Sequence, residues 1–463
     1  MRRQAGRVAA IFAAYVAFLV VLTWPLASVI RTHLADTGGI FVMDLYYTTW
    51  ALAWQTHALM TDPARYADAN IYGGAPLALF YGPLGFGLFP IFAPIFAVSA
   101  NPTLAVNAAF LLSLAAAATS LHLVIVAWTD SELAGIAAAG TFLTTRATLA
   151  QCAVTPQYAA LAGIPIIAWL LAREGPLRRW RVVALTLVVA FQALAETVYF
   201  AFPVFLTVGL AAGARLLRRR SRPDGWRIVL ALAAAACVLA PVYACYLAVR
   251  EANPDLRSQS VWAKHGPLAL RANLRTLLPL DGPLSLDPLT FLPPALGVLV
   301  CALMARAARA ARWRAWRQAA LWFATALAVS WVLPLGVPAF RDFLFGSVLR
   351  DPVRLGFIGL VGACLLVGLG FAACAAVVAV PSRAMSRPLP LVLLVLWLGT
   401  RFAQLPLIVG SYPIKPAPAL GPDTAVLRAG RGPVLELPIG DPRSDTVSHA
   451  RRCIGARATG ARC

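Results

Sequence analysis

The sequence predicts an all-α polytopic membrane protein. Its composition and the spacing of its apolar residues carry that prediction. Sixty per cent of the 463 residues are apolar, 13 % are charged, and the mean hydropathy is +0.74. A soluble domain usually carries about 25 % charged residues. The apolar residues gather in runs of about 20, enough to cross a hydrocarbon core roughly 30 Å thick. The net charge of +21 could suggest nucleic acid, but its placement argues for a membrane. The arginines stand in short linkers between apolar runs: MRRQAGR, REGPLRRWR, RLLRRRSRPDGWR and ARAARAARWRAWRQ. Such linkers belong on the cytoplasmic side and suit contact with membrane lipids of negative headgroup. No nucleic-acid recognition module surrounds them, so nucleic acid is not an expected partner.

Taken in order, Arg2, Arg3 and Arg7 hold the N-terminus inside. The apolar run from Val8 to Ile30 is too long for a signal peptide and lacks a small-residue cleavage site. It reads as a retained first span at about 8–30. The segment 82–99, YGPLGFGLFPIFAPIFAV, is apolar but carries Pro83, Pro90 and Pro94, which disfavour a plain spanning helix. If it rests in the outer interface or dips in and returns, the later arginine linkers all fall inside. The remaining spans are then expected at about 104–128, 133–150, 154–172, 182–197, 198–217, 227–249, 288–306, 318–336, 353–380 and 388–410. That gives about 11 transmembrane helices, with a range of 10–13. Glu196 and Pro203 interrupt 182–217, so each half there is short.

This topology assigns 1–410 to a membrane domain whose outer face carries 31–103, 250–287 and 337–352. The tail 411–463 also lies outside. It is Pro/Gly-rich, and Pro433 to Pro438 (PVLELP) reads as one short strand, as at the start of an incomplete α/β domain. Six of the eight cysteines, at 152, 237, 245, 301, 364 and 374, lie in or beside apolar segments, where cysteine acts as a small hydrophobe. Cys453 and Cys463 stand in the tail, and there is no C-x-x-C pair to suggest zinc or redox chemistry.

The chemistry available outside centres on ADTGGIFVMDLYYTTWALAW, residues 35–54. Asp44 opens LYYTTWALAWQTHALM, which reads as an amphipathic helix lying in the interface. Tyr46, Trp50, Trp54 and His57 form one stripe on it, at spacings suited to headgroup depth. Asp44 serves either as the helix N-cap or as a reactive carboxylate. Asp36, before Gly38-Gly39, and Asp62-Pro63 read first as turns; His33 and His57 read as polar contacts. Glu196 is either a functional intramembrane carboxylate or the turn between two short helices. In SVLRDPVRLGFIGL, Arg350 and Arg354 flank Asp351 at the mouth of a late helix. They form either a local ion-pair cluster or a phosphate grip, since a guanidinium offers a planar donor fork. The mixture in 250–287, with Glu251, Asp255, Arg257, Trp262, Lys264 and His265, is that of any solvated loop. H-E-x-x-H, G-x-S-x-G and P-loop patterns are absent from the sequence.

The stretch THLADTGGIFVMDLYYTTWALAWQTHALMTDPARYADANIY resembles the first outer loop of bacterial GT-C-type membrane glycosyltransferases. Asp44, Trp50, Leu52, Ala53, Trp54, His57, Asp62, Pro63, Asn70, Ile71 and Tyr72 carry the likeness. LRDPVRLGFIGLVGACLLVGLG is similar to a late Arg-x-Pro-x-Arg element of that family, and PVLELPIGDPRSDT to its outer-domain opening strand. The resemblance implies a multi-pass protein of the bacterial inner membrane that transfers a sugar from a polyprenyl-phosphate carrier. The acceptor would be a glycan, lipid or protein outside the cytoplasm. It further implies Asp44, or less well Asp36, as general base, and Arg350 and Arg354 as partners of the departing phosphate. No cofactor is implied, and a divalent metal is left open; no metal ligands are assigned. ADTGG departs from the family's more regular Gly-Asp-Pro run, and the C-terminal domain is shorter than the family's. A transporter or flippase of lipid-linked saccharides, and a non-catalytic membrane scaffold, are the alternatives.

Overall fold

The computed structural model describes residues 2–35, 42–145, 147–173, 175–197, 199–253, 311–328, 356–378, 391–392, 394–399 and 412–416. They are mostly helical. The elements are α1 (Arg2–Leu22), β1 (His33–Ala35), α2 (Val42–Thr61), α3 (Phe89–Ser99), α4 (Pro102–Thr129), α5 (Glu132–Leu143) and α6 (Cys152–Val154). There follow α7 (Gly163–Ala172), α8 (Arg179–Ala195), α9 (Ala201–Leu216), α10 (Arg222–Ala252), α11 (Ala311–Leu327), α12 (Gly356–Val378) and β2 (Ile414–Pro416).

Four described helices are long and apolar enough to cross a membrane: Gln4–Leu22, Pro102–Thr129, Arg219–Ala252 and Gly356–Cys374. Their surroundings differ. In α4 and α12, 78 % and 83 % of the most apolar stretch is buried inside the protein, against 17 % in α1 and 22 % in α10. The first pair is therefore the centre of the bundle and the second its rim. Alanine dominates the middle of α4, which lets α1, α3, α5, α7 and α12 pack around it, as small residues do between membrane helices. Asn101 caps α4, its Oδ1 accepting from Leu104 N at 2.8 Å, and Pro102 occupies a position where its missing N–H costs nothing. Ser131 caps α5 in the same way.

Several expected spans are shorter than the apolar runs that suggested them. The first helix ends at Leu22, because Pro25 brings no N–H and the chain turns into a 3₁₀ segment, Leu26–Val29. The runs at 133–150 and 154–172 hold only α5 and α7, with 12 and 10 residues. Between them lie a π-turn, α6 and a 3₁₀ turn, with Thr148, Thr155, Gln157 and Tyr158 buried in the protein. The helix in 82–99 has 11 residues, about 16 Å of length against a core of roughly 30 Å. Glu196 stands at the turn between α8 and α9, where it receives the Tyr199 N–H. The expected span 288–306, the segment 337–352 and the tail strand lie outside the described residues.

A small antiparallel pairing joins distant parts of the chain: His33 stands opposite Pro416, Leu34 opposite Lys415 and Ala35 opposite Ile414. Tyr412 N donates to Trp24 O at 3.0 Å. Asn107 Nδ2 holds the same edge through Ile30 O and His33 O, at 2.9 and 2.7 Å.

Gly87 makes one of the closest approaches in the bundle. A Cβ on Gly87 would meet Ala160 Cβ at 2.4 Å and Ala195 Cβ at 2.7 Å. Neither alanine can rotate away. Gly87→Val should destabilise the protein by about 1–3 kcal/mol, read as a lower thermal unfolding midpoint in detergent. Gly209→Ala, with nothing within 4 Å of the added atom, should leave the midpoint unchanged or higher.

Candidate functional site

The helix carrying Asp44 packs most of its expected aromatic stripe against protein. In α2, residues 45, 46, 48–53, 55, 56 and 58 are all buried. Tyr46 and Trp50 are each only 2 % exposed, whereas His57, Leu59, Met60 and Thr61 open outward near the C-terminal end. An aromatic stripe reads alike whether it faces headgroups or a protein wall; here it faces the wall. Asp44 is the third residue of the helix, inside the first turn and half-buried, rather than its N-cap. A carboxylate there is favoured by the partial positive charge of the helix start.

One turn beyond Asp44, Thr48 Oγ1 donates to Gln157 Oε1 at 3.0 Å. Gln157 is 1 % exposed, and its Nε2, like Thr148 Oγ1, has no hydrogen-bond partner among the described residues. Unsatisfied buried amides are rare and call for an explanation. Further along α2, Gln55 Nε2 donates to Leu84 O at 2.7 Å while its Oε1 accepts from Tyr66 OH at 2.8 Å. Burial pushes the Tyr66 phenol well above its ordinary range, so it stays a donor. The Trp54 indole donates to Tyr66 O at 3.0 Å and the Trp50 indole to Asn70 Oδ1 at 3.3 Å. These bonds fold 62–88 back over the helix.

That returning loop fits because of its glycines. A Cβ at Gly82 would lie 2.5 Å from Tyr47 Cζ, and Gly85 has φ +64°, open to glycine at no cost. Two bulky residues in the same loop, Tyr72 and Leu77, also hold φ +55°, a strained conformation for such side chains. The Asp68 carboxylate pays part of this by accepting the Leu77 N–H at 2.9 Å. Opposite, Tyr246 OH donates to Gly82 O at 2.9 Å and lies 2.8 Å from Thr197 Oγ1, while Tyr243 OH donates to Thr197 O. Thus α2, the 82–88 loop, the α8–α9 turn and the latter half of α10 form one polar-lined wall.

The wall also receives the start of α12. Phe357 stacks on Tyr158 with centroids 4.9 Å apart, and Tyr158 touches Tyr199 and Phe200. Arg350 and Arg354 precede Phe357 in the chain but, with Asp36, lie outside the described residues. Of the expected site residues, Asp44, Tyr46, Trp50, Trp54 and His57 share one helix; Trp54 and His57 are in ring contact at 6.0 Å. The sequence reading missed Gln157, Thr148, Tyr158, Tyr243 and Tyr246. None of them belongs to a motif or a spacing that marks a site.

The arginine linkers gather at the other ends of these helices. Asp224 Oδ1 accepts from Leu177 N at 2.9 Å and from Arg227 Nη1 at 3.0 Å, joining the α7–α8 linker to the start of α10. Arg215 reaches Leu171 O, and Arg181 Nη2 reaches Leu170 O at 2.6 Å, closing the C-terminal end of α7. Glu196 lies across the 17 residues of α8 from this cluster, about 25 Å away along the helix axis. Among the described residues, no group of three or more His, Cys, Asp or Glu is placed to hold a metal ion. No protein-family model matches the chain, and a search of curated proteins finds no similar sequence.

Gln157→Met removes one made hydrogen bond and one buried unpaired amide at nearly constant volume. Stability should stay within about 1 kcal/mol of the parent, measured as the thermal unfolding midpoint. A clear fall would mean that the loss of the acceptor for the buried Thr48 hydroxyl, or of a water on Nε2, outweighs the relief of the unpaired amide.

Proposed function

We propose that this chain is a membrane glycosyltransferase with about 11 spans that moves a sugar from a polyprenyl-phosphate carrier to an acceptor outside the cytoplasm. One observation carries the reading: the helix of Asp44 and the start of α12 meet the same wall, at the ends of α8 and α9 opposite the arginine linkers. Arginine-rich linkers are retained on the cytoplasmic side, so the wall faces outward, where carrier-linked sugars are used. In the reaction, the Asp44 carboxylate takes the proton of the acceptor hydroxyl as its oxygen bonds to the anomeric carbon. The bond from that carbon to the carrier phosphate breaks, and the phosphate leaves with the bonding pair. Arg350 and Arg354 neutralise the charge that develops on it. The buried amide of Gln157, beside Thr48, is a donor available to a sugar hydroxyl. A divalent metal on the phosphate remains compatible with this scheme.

A transporter of lipid-linked saccharides is the second reading, favoured by one hydrogen-bonded chain among helices. Tyr15 OH lies 2.7 Å from His122 Nδ1, His122 Nε2 lies 2.8 Å from Glu132 Oε2, and Glu132 pairs with Arg7. Buried ionisable groups of this kind mark proton or substrate paths. Glu132 and Arg7, however, are about half exposed, and the chain ends at Tyr15 rather than continuing toward the Asp44 wall.

Transfer of radiolabelled sugar from a panel of polyprenyl-phosphate donors in reconstituted vesicles tests the first reading. Asp44→Asn should lower turnover by roughly 10²–10⁴-fold without changing membrane insertion; unchanged turnover removes the mechanism. The double variant Arg350→Ala, Arg354→Ala should weaken donor binding while the unfolding midpoint holds. Reporter fusions after residues 175 and 253 should report inside and outside respectively, and the reverse result overturns the orientation.

A further inference from the structure

The arginine end of the bundle is more than a topological marker. Segments 173–181 and 215–227 hold ten arginines against two carboxylates, Glu174 and Asp224. Apart from Arg173, which lies over tryptophan rings, the structure divides these arginines into two sets. Arg181 and Arg215 turn inward onto the carbonyls that end α7, and Arg227 pairs with Asp224. Arg178, Arg179, Arg218, Arg219, Arg220 and Arg222 are exposed, and their side chains enter no hydrogen bond or ion pair among the described residues. The bond from Leu177 N to Asp224 brings both groups to one place.

Two tryptophans share that level, Trp180 at 49 % and Trp226 at 59 % exposure, and Arg173 lies over the Trp180 ring at 5.7 Å. Below them run two exposed apolar faces. On α8 these are Val183, Leu187 and Phe191; on α10, Leu230 and Val238. The two helices pack side by side, with Thr186 Oγ1 donating to Ala231 O at 3.4 Å. The order along this surface is unpaired guanidinium, then indole, then hydrocarbon. That is the order of a phospholipid: phosphate, glycerol–ester region, acyl chains.

We infer that the α8–α10 face is a binding surface for an anionic phospholipid, its headgroup among the six exposed arginines and its acyl chains along the two apolar stripes. Guanidinium groups suit the phosphate because they donate from a planar fork and hold their charge at every physiological pH. A zwitterionic lipid offers the same phosphate but cancels it with its own ammonium, so the surface selects net negative charge. The surface lies across the bundle from the Asp44 wall and does not depend on the reaction assigned there.

The test is native mass spectrometry of the full chain in neutral detergent, titrated with phosphatidylglycerol or with phosphatidylcholine. The expected result is retention of phosphatidylglycerol in preference to phosphatidylcholine. The variant Arg178→Gln, Arg179→Gln, Arg219→Gln, Arg222→Gln should lose that preference, at about fivefold per charge removed near a membrane surface. The unfolding midpoint without lipid should not change, because these side chains hold no hydrogen bond or ion pair among the described residues. For the parent protein, raising salt from about 0.1 M to about 1 M should also erase the preference, since the screening length falls from roughly 10 Å to 3 Å. This arm stands even if the variant does not fold. Equal retention of the two lipids overturns the inference. So does displacement of phosphatidylglycerol by inorganic phosphate beyond the effect of sodium chloride at equal ionic strength, which would mark a site for free phosphate.

Discussion

A guanidinium cannot be left in hydrocarbon, and that constraint orders the rest of this molecule. Each arginine placed at the centre of a spanning helix costs at least about 2.5 kcal/mol, and the chain gathers arginines in the α7–α8 and α9–α10 linkers. They are therefore driven to helix ends. The hydrogen bonds from Arg181 and Arg215 to the last carbonyls of α7 turn part of that charge to structural use, satisfying acceptors that a helix end leaves open. Once those ends are fixed, the directions of α7, α8, α9 and α10 follow, and so does the level of the α8–α9 turn.

At that turn the structure meets a second demand of the same solvent. Irregular backbone is tolerated at membrane depth only where protein surrounds it. Residues 147–162 and 82–88 are largely short turns rather than long helix, and both are packed in the wall around α2. The glycines at 82 and 87 permit contact between segments that any larger residue would hold apart. The polar side chains of the wall then serve two purposes. Gln55 and Gln192 complete backbone groups of neighbouring segments, whereas Gln157 keeps one donor in reserve.

The sequence was informative in proportion to how far local composition determines structure. Apolar content was enough for a helical membrane protein, and α4, α10 and α12 lie within a few residues of their expected bounds because each is a single uninterrupted run. The run at 133–172 holds shorter helices than expected: hydropathy records that residues avoid water, not whether lipid or protein shelters them, and α5 and α7 are joined by turns that the apolar run did not reveal. The same ambiguity disguised α2, whose tyrosine and tryptophan stripe packs inward. Asp44 was visible because carboxylates are scarce in this chain. Gln157, Tyr158 and Tyr246 were not, since their importance lies in contacts with residues more than a hundred positions away.

The two-stranded pairing of His33–Ala35 with Ile414–Pro416 joins partners about 380 residues apart. A ribosome-bound chain emits its first strand long before the second exists, and chains lengthen at roughly 5–20 residues per second. The early edge must then wait on the order of tens of seconds with its amides open to water or to an attendant protein. The ladder can therefore close only after residues 414–416 have been made, long after the helices that lie between its two strands in the chain.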